Sequence, residues 1–240
     1  MKNLIIFGDS WSYGFRETNE LVELLKQGKH TLGMSIKKGT AYRIEDRYSK
    51  LVAKQYGSDI IDFSRPGLSN REMSYLLMDA IIKNKLNPKT DFVIVILTTW
   101  ARIFPFMKKL VNYDNMSTEK IADPDWVAPD EPEWFEKKNL DLEELAYAQF
   151  VDYNFITNLL ELNKFQYVIG WNWNKPKEFC KYLSYEYEKN IISNDKFLNC
   201  SFEEFFIDWN EPFRRHPNED EHKLYAEYLI DKIKPHNDRM

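Results

Sequence analysis

Phe92-Val93-Ile94-Val95-Ile96-Leu97 is an unbroken apolar run, dominated by β-branched residues. A half-buried strand alternates apolar and polar residues, whereas a continuous run of this length predicts a strand buried on both faces. Such a strand lies in the middle of a parallel sheet with helices packed above and below it. Three further runs share this character: Asn3–Phe7, residues 59–63 and residues 165–171. A fifth and less regular run lies near residues 196–206.

The segments between these runs read as helices at 42–56, 69–85, 142–163, 176–189 and 219–233, so the chain alternates strand and helix as an α/β domain does. Ser69-Asn70-Arg71-Glu72 has the spacing of a capping box, and Leu76, Leu77, Ala80 and Ile81 follow as an apolar face. In 142–163 the stripe Leu145, Tyr147, Ala148, Val151, Phe155, Leu159 and Leu162 is expected to pack into the core. Two regions break the alternation. Residues 18–40, with His30 and Gly28, Gly33 and Gly39, predict an irregular loop or lid. Residues 103–139 hold Asp123-Pro124, Ala128-Pro129 and Glu131-Pro132 beside Trp126, Trp134 and Phe135, which predicts an extended aromatic and proline-rich insertion. With no internal repeat and no linker, residues 1–240 are expected to form a single domain.

Composition narrows the function classes. A hydrophobic content of 43% and an aromatic content of 15% support a packed core. The net charge of −5 comes from 33 basic and 38 acidic residues mixed along the chain, so there is no electrostatic footprint for nucleic acid or an anionic membrane. Cys180 and Cys200 form no Cys-x-x-Cys pair, and no disulfide framework is expected. The apolar run at the N-terminus is too short for a signal-peptide core, and no stretch approaches the roughly 20 apolar residues of a membrane span. The expectation is a soluble cytoplasmic protein; a virion-associated protein would read the same way.

In an open parallel sheet, ligands bind at the carboxyl ends of the strands, so the polar residues following each strand are the candidates. Gly8-Asp9-Ser10 follows the first run. A serine at a strand-to-helix turn presents its hydroxyl at the sheet edge, although Gly-Asp-Ser is also ordinary turn chemistry. Ser64-Arg65-Pro66-Gly67-Leu68-Ser69-Asn70 follows the second, where Gly67 permits close backbone approach and Asn70 carries a side-chain donor. Thr98-Thr99-Trp100-Ala101-Arg102 follows the third; Thr98 and Thr99 are donors, and Arg102 suits either an anionic substrate group or a structural ion pair. Near the C-terminus, His216 precedes Pro217 on a loop, where a catalytic base is commonly placed. His216 and His222 stand six residues apart, but no Cys/His cluster completes a metal site, so no metal is expected.

Taken in order, these segments resemble the SGNH (GDSL-type) hydrolase family. The resemblance implies a three-layer α/β/α sandwich around a five-stranded parallel sheet, flavodoxin-like in layout, and ester hydrolysis without a cofactor. It makes Ser10 the nucleophile and an oxyanion donor through its N–H, Gly67 a second backbone donor, and His216 the base. Two positions depart from the family pattern. The asparagine expected after the central strand is absent from Thr98-Thr99-Trp100-Ala101, so Thr98, Thr99 or Asn70 would replace that donor. The aspartate expected three residues before the histidine is Phe213, which leaves Asp208 or Glu211 as the candidate acid, or a Ser-His dyad. Asp9, Trp11, Trp100 and Arg102 are the expected substrate contacts. The reading is a serine esterase acting on a small acyl ester, acetyl in type and carried by a carbohydrate whose faces the aromatic insertion would stack on. Acyl transfer would use the same residues. The Arg-Pro-Gly-x-Ser-Asn and Thr-Thr-x-x-Arg forms resemble phage-encoded members, so the alternative is a catalytically impaired module that binds carbohydrate or builds a virion.

Overall fold

The computed structural model describes residues 1–27, 41–66, 68–98, 142–172, 195–205 and 216–237. Its main sheet holds β1 (Asn3–Phe7), β4 (Asp59–Asp62), β5 (Asp91–Leu97) and β6 (Gln166–Trp171) in the order β4-β1-β5-β6, all parallel. Every residue of β5 is buried, and the strand lies between β1 and β6, as its unbroken apolar run predicts.

Side chains alternate between two cores across this sheet. Ile5, Phe7, Val93, Val95, Leu97, Tyr167, Ile169 and Trp171 point to one side, where α4 (Asn70–Ile82) and α5 (Leu142–Leu162) cover them. Leu4, Ile6, Phe92, Ile94, Ile96 and Val168 point to the other, beneath α3 (Tyr48–Tyr56) and α6 (Glu219–Asn237). Burial on both faces is what makes β5 apolar almost throughout rather than alternating, while β4, at the sheet edge, carries Asp59 and Asp62. The arrangement is a three-layer α/β/α sandwich. No helix among the described residues is long and apolar enough to cross a membrane.

Four features depart from the sequence expectations. The sheet has four described strands rather than five. Among the described residues 195–205 only Phe197 pairs, in a single parallel bridge to Ile169, because the chain then turns into a 3₁₀ helix (Phe202–Phe205). Phe202 stacks on Tyr225 at 4.2 Å between ring centroids, so core packing takes the segment away from the sheet edge.

The first part of 18–40 is not irregular. Thr18 Oγ1 accepts from the Leu21 N–H at 3.3 Å at the start of helix α2 (Asn19–Lys26). The helix expected from residue 42 begins at Tyr48, because β3 (Ala41–Arg43) pairs antiparallel with β2 (Phe15–Glu17).

The fourth correction concerns α5. Tyr147, Val151, Phe155 and Leu162 of the expected core stripe are exposed, Leu162 at 80%. Phe150, Tyr153, Ile156 and Leu160 are buried instead. The helix is apolar on two sides, so periodicity alone does not select the face that meets the sheet. The expected helix at 176–189, the insertion at 103–139 and residues 28–40 lie outside the described residues.

Candidate active site

The turn after β1 is built by three neighbours of Ser10. A Cβ on Gly8 would stand 2.1 Å from Ser12 Oγ and 2.4 Å from Ser12 Cβ, so only glycine lets Ser12 fold back over the strand end. Asp9 then caps the short helix α1 (Ser10–Tyr13): its Oδ1 accepts from the Trp11 N–H at 3.0 Å. Gly14, at φ 76°, ends the turn and lets the chain enter β2. Ser10 is thereby the first residue of a helix that starts at the carboxyl edge of the sheet. Its side chain lies outside the described set.

The Asp9 carboxylate is fully buried, and burying an unpaired carboxylate is costly. Donors from the ends of two other strands converge on it. Thr98, directly after β5, donates its hydroxyl to Oδ2 at 2.7 Å, and Asn172, directly after β6, donates Nδ2 to Oδ1. The network continues away from Asp9. Asn70 Oδ1 accepts from the Thr98 N–H at 2.8 Å, and Asn70 Nδ2 donates to the Thr98 carbonyl at 3.3 Å and to Gln149 Oε1 on α5. Asn70 thus meets the Thr98 backbone as a neighbouring strand would. It also begins α4, whose capping box forms as predicted: the Ser69 N–H donates to Glu72 Oε2 at 2.8 Å, and Ser69 Oγ accepts from the Glu72 N–H at 3.3 Å.

The C-terminal loop reaches the same region. Arg16, on β2, donates Nη1 to the His216 carbonyl at 3.2 Å, across 200 residues of chain. That bond ties the His216 loop to the β2–β3 strand pair, whose first strand begins just after the Ser10 helix. Next to it Asp62, at the end of β4, accepts from Arg43 at 2.8 Å and Arg47 at 3.0 Å, and the Arg43 guanidinium lies 3.8 Å from the Tyr13 ring centroid. His222 is fully buried between Tyr48 and Phe202. Burial, reinforced by the positive charges of Arg47 and Arg16 and by His216, pushes its pKa down to about 3, so it is a neutral core residue at ordinary pH. Among the described residues no group of three or more His, Cys, Asp or Glu side chains could hold a metal ion.

Several expected roles change. Asp9 and Trp11 were expected to contact substrate, but both are interior; Trp11 packs edge-on against Phe202 and Asp9 is enclosed by its donors. Thr98 and Asn70 were expected as side-chain oxyanion donors. The Thr98 hydroxyl proton goes to Asp9, and the Asn70 amide is held by Thr98 and Gln149, so both donors are engaged inside the protein. Gly67, Thr99, Trp100, Arg102, Asp208 and Glu211 lie outside the described residues. Asn172, Gln149 and Arg16 were missed by sequence reasoning. Asn172 had a signal: it directly follows β6, as Thr98 directly follows β5. Gln149 and Arg16 had none, since their partners lie 79 and 200 residues away.

The fold is that of the SGNH (GDSL-type) hydrolases, as the motif resemblance implied. Est24, a carbohydrate acetylesterase from Sinorhizobium meliloti, matches it with a TM-score of 0.54 at 13% identity, covering 98% of this chain and 99% of that one. The psychrotrophic esterase EstA from Pseudoalteromonas sp. matches with a TM-score of 0.50 at 11% identity, covering 99% of this chain and all of that one. At these identities the likeness is one of fold. No family model matches the sequence, and no curated protein matches it.

Proposed function

We propose that this chain is a serine esterase that removes a small acyl group, acetyl in type, from a carbohydrate. The observation that carries the reading is the placement of Ser10: it opens a helix at the carboxyl edge of the sheet, in a turn held by a buried carboxylate network, with His216 tethered to the adjoining strand β2. In this reading Ser10 Oγ attacks the acyl carbonyl and His216 takes its proton. The N–H groups of Ser10 and Gly67 hold the oxyanion. The tetrahedral intermediate collapses by expelling the sugar oxygen, which receives the proton from His216. Water, deprotonated by His216, then releases the carboxylic acid and restores Ser10. With Thr98 and Asn70 engaged inside the protein, backbone donors carry more of the oxyanion charge, which favours slow turnover. Asp208 and Glu211 remain the proposed acids behind His216, and Trp100 and Arg102 the proposed substrate contacts. The fold shared with a carbohydrate acetylesterase supports the choice of substrate class.

The test is incubation of the pure protein with a fluorophosphonate probe and with p-nitrophenyl acetate, beside Ser10→Ala and His216→Ala. Labelling and turnover that vanish in both variants are expected. Wild-type protein indistinguishable from Ser10→Ala would overturn the reading and favour a carbohydrate-binding or virion module.

A further inference from the structure

We infer that Thr98 and Asn172 are positioning residues for Ser10, acting through the Asp9 carboxylate. The inference rests on the hydrolase reading above; it adds Asn172 and gives Thr98 a positioning role in place of the expected oxyanion one. Asp9 immediately precedes Ser10, and one of its oxygens already accepts the Trp11 N–H. A carboxylate held at one oxygen by that amide could still pivot. Here Thr98 Oγ1 occupies Oδ2 and Asn172 Nδ2 shares Oδ1, so donors from β5 and β6 fix it in the plane that the turn requires.

Both donors are rigidly supported. Asn172 donates its own N–H to the Leu97 carbonyl at 2.8 Å and accepts from the Glu203 N–H at 2.9 Å, while Asn70 clamps both backbone polar groups of Thr98. Asp9, Thr98 and Asn172 are each 0% exposed, so water does not compete for these bonds. Three adjacent strands therefore determine one backbone position, that of the residue presenting the nucleophile. A small displacement there is expensive for the reaction even though none of the three side chains touches substrate.

The experiment compares wild type, Thr98→Val, Thr98→Ser and Asn172→Asp on p-nitrophenyl acetate, with folding checked by thermal melting and the Trp11 amide followed by hydrogen exchange. Thr98→Val keeps the shape and removes the donor. Its kcat is expected to fall about ten- to a hundredfold with KM changed less than about twofold, and Trp11 amide exchange is expected to accelerate. Thr98→Ser restores the donor and is expected to recover kcat to within about threefold of wild type. Asn172→Asp sets a second carboxylate against Asp9. The lost donor and the repulsion are expected to lower its kcat at least about tenfold.

Folded Thr98→Val and Asn172→Asp proteins with wild-type kcat would overturn the inference and leave the hydrolase reading standing. So would a Thr98→Val loss that serine does not rescue. If Thr98→Val does not fold, a folded Asn172→Asp protein with wild-type kcat overturns it. A wild-type protein without turnover overturns the hydrolase reading and this inference with it.

Discussion

The Thr98 hydroxyl donates to the Asp9 carboxylate at 2.7 Å, joining the ends of two neighbouring parallel strands 89 residues apart in the chain. The bond explains how a charged side chain tolerates complete burial directly beside the candidate nucleophile. Asp9→Asn keeps the shape but turns an acceptor-only group into one that also donates, facing three donors. It is expected to lower the unfolding free energy by about 2–4 kcal/mol, as for a broken buried hydrogen-bond network. Urea denaturation measures this.

Gly8→Ala is expected to be more damaging than an ordinary turn substitution. The new methyl group collides with Ser12 Cβ and Oγ, so the Ser10 turn or the end of β1 must move. The expected cost is about 1–3 kcal/mol. Adding Ser12→Gly removes both colliding atoms and is expected to return part of that stability; a double-mutant cycle followed by chemical denaturation reads the coupling.

His222 makes stability depend on pH in a defined direction. Its folded pKa of about 3 lies below its ordinary value of 6.5, so between these values the unfolded chain binds the additional proton. The stabilisation from neutral His222 is complete above pH 6.5 and is lost as pH falls towards 3. Its limiting contribution to the slope is about 1.4 kcal/mol per pH unit. His222→Phe keeps an aromatic ring between Tyr48 and Phe202 and is expected to flatten this acid limb, as measured by thermal or urea unfolding across the window.

The orientation of α5 is open to a direct comparison. Val151→Lys and Leu162→Lys, on the exposed side, are expected to change stability by less than about 0.5 kcal/mol. Ile156→Ala, at a fully buried position, is expected to cost about 2–5 kcal/mol. If the lysine variants prove the more destabilising, the assigned helix face is wrong.

Much of the scaffold and the order of the candidate site can be read from local pattern. The apolar runs placed β1, β4, β5 and β6 to within a residue, and Ser69 with Glu72 marked the start of α4. These signals act over a few residues, because burial on both faces and helix capping each leave their mark on the segment that experiences them. Gly8-Asp9-Ser10, Gly67 and His216 carried the family resemblance in chain order for the same reason.

Tertiary structure decided which polar groups remain available. Thr98, Asn70 and Asp9 are equally plausible site residues as letters after a strand; their hydrogen bonds turn them inward. Asn172 joins them from 163 residues away, and Arg16 reaches His216 across 200. Partners at such separations follow from strand order and from the single hand of the crossovers, which no local window contains. The face that α5 turns to the sheet was likewise settled by packing, since both of its sides are apolar. By itself the sequence determined where the strands lie and where Ser10 stands on the first of them. The meeting of three strand ends decided what holds Ser10 there, because a buried carboxylate is stable only where donors from all of them converge.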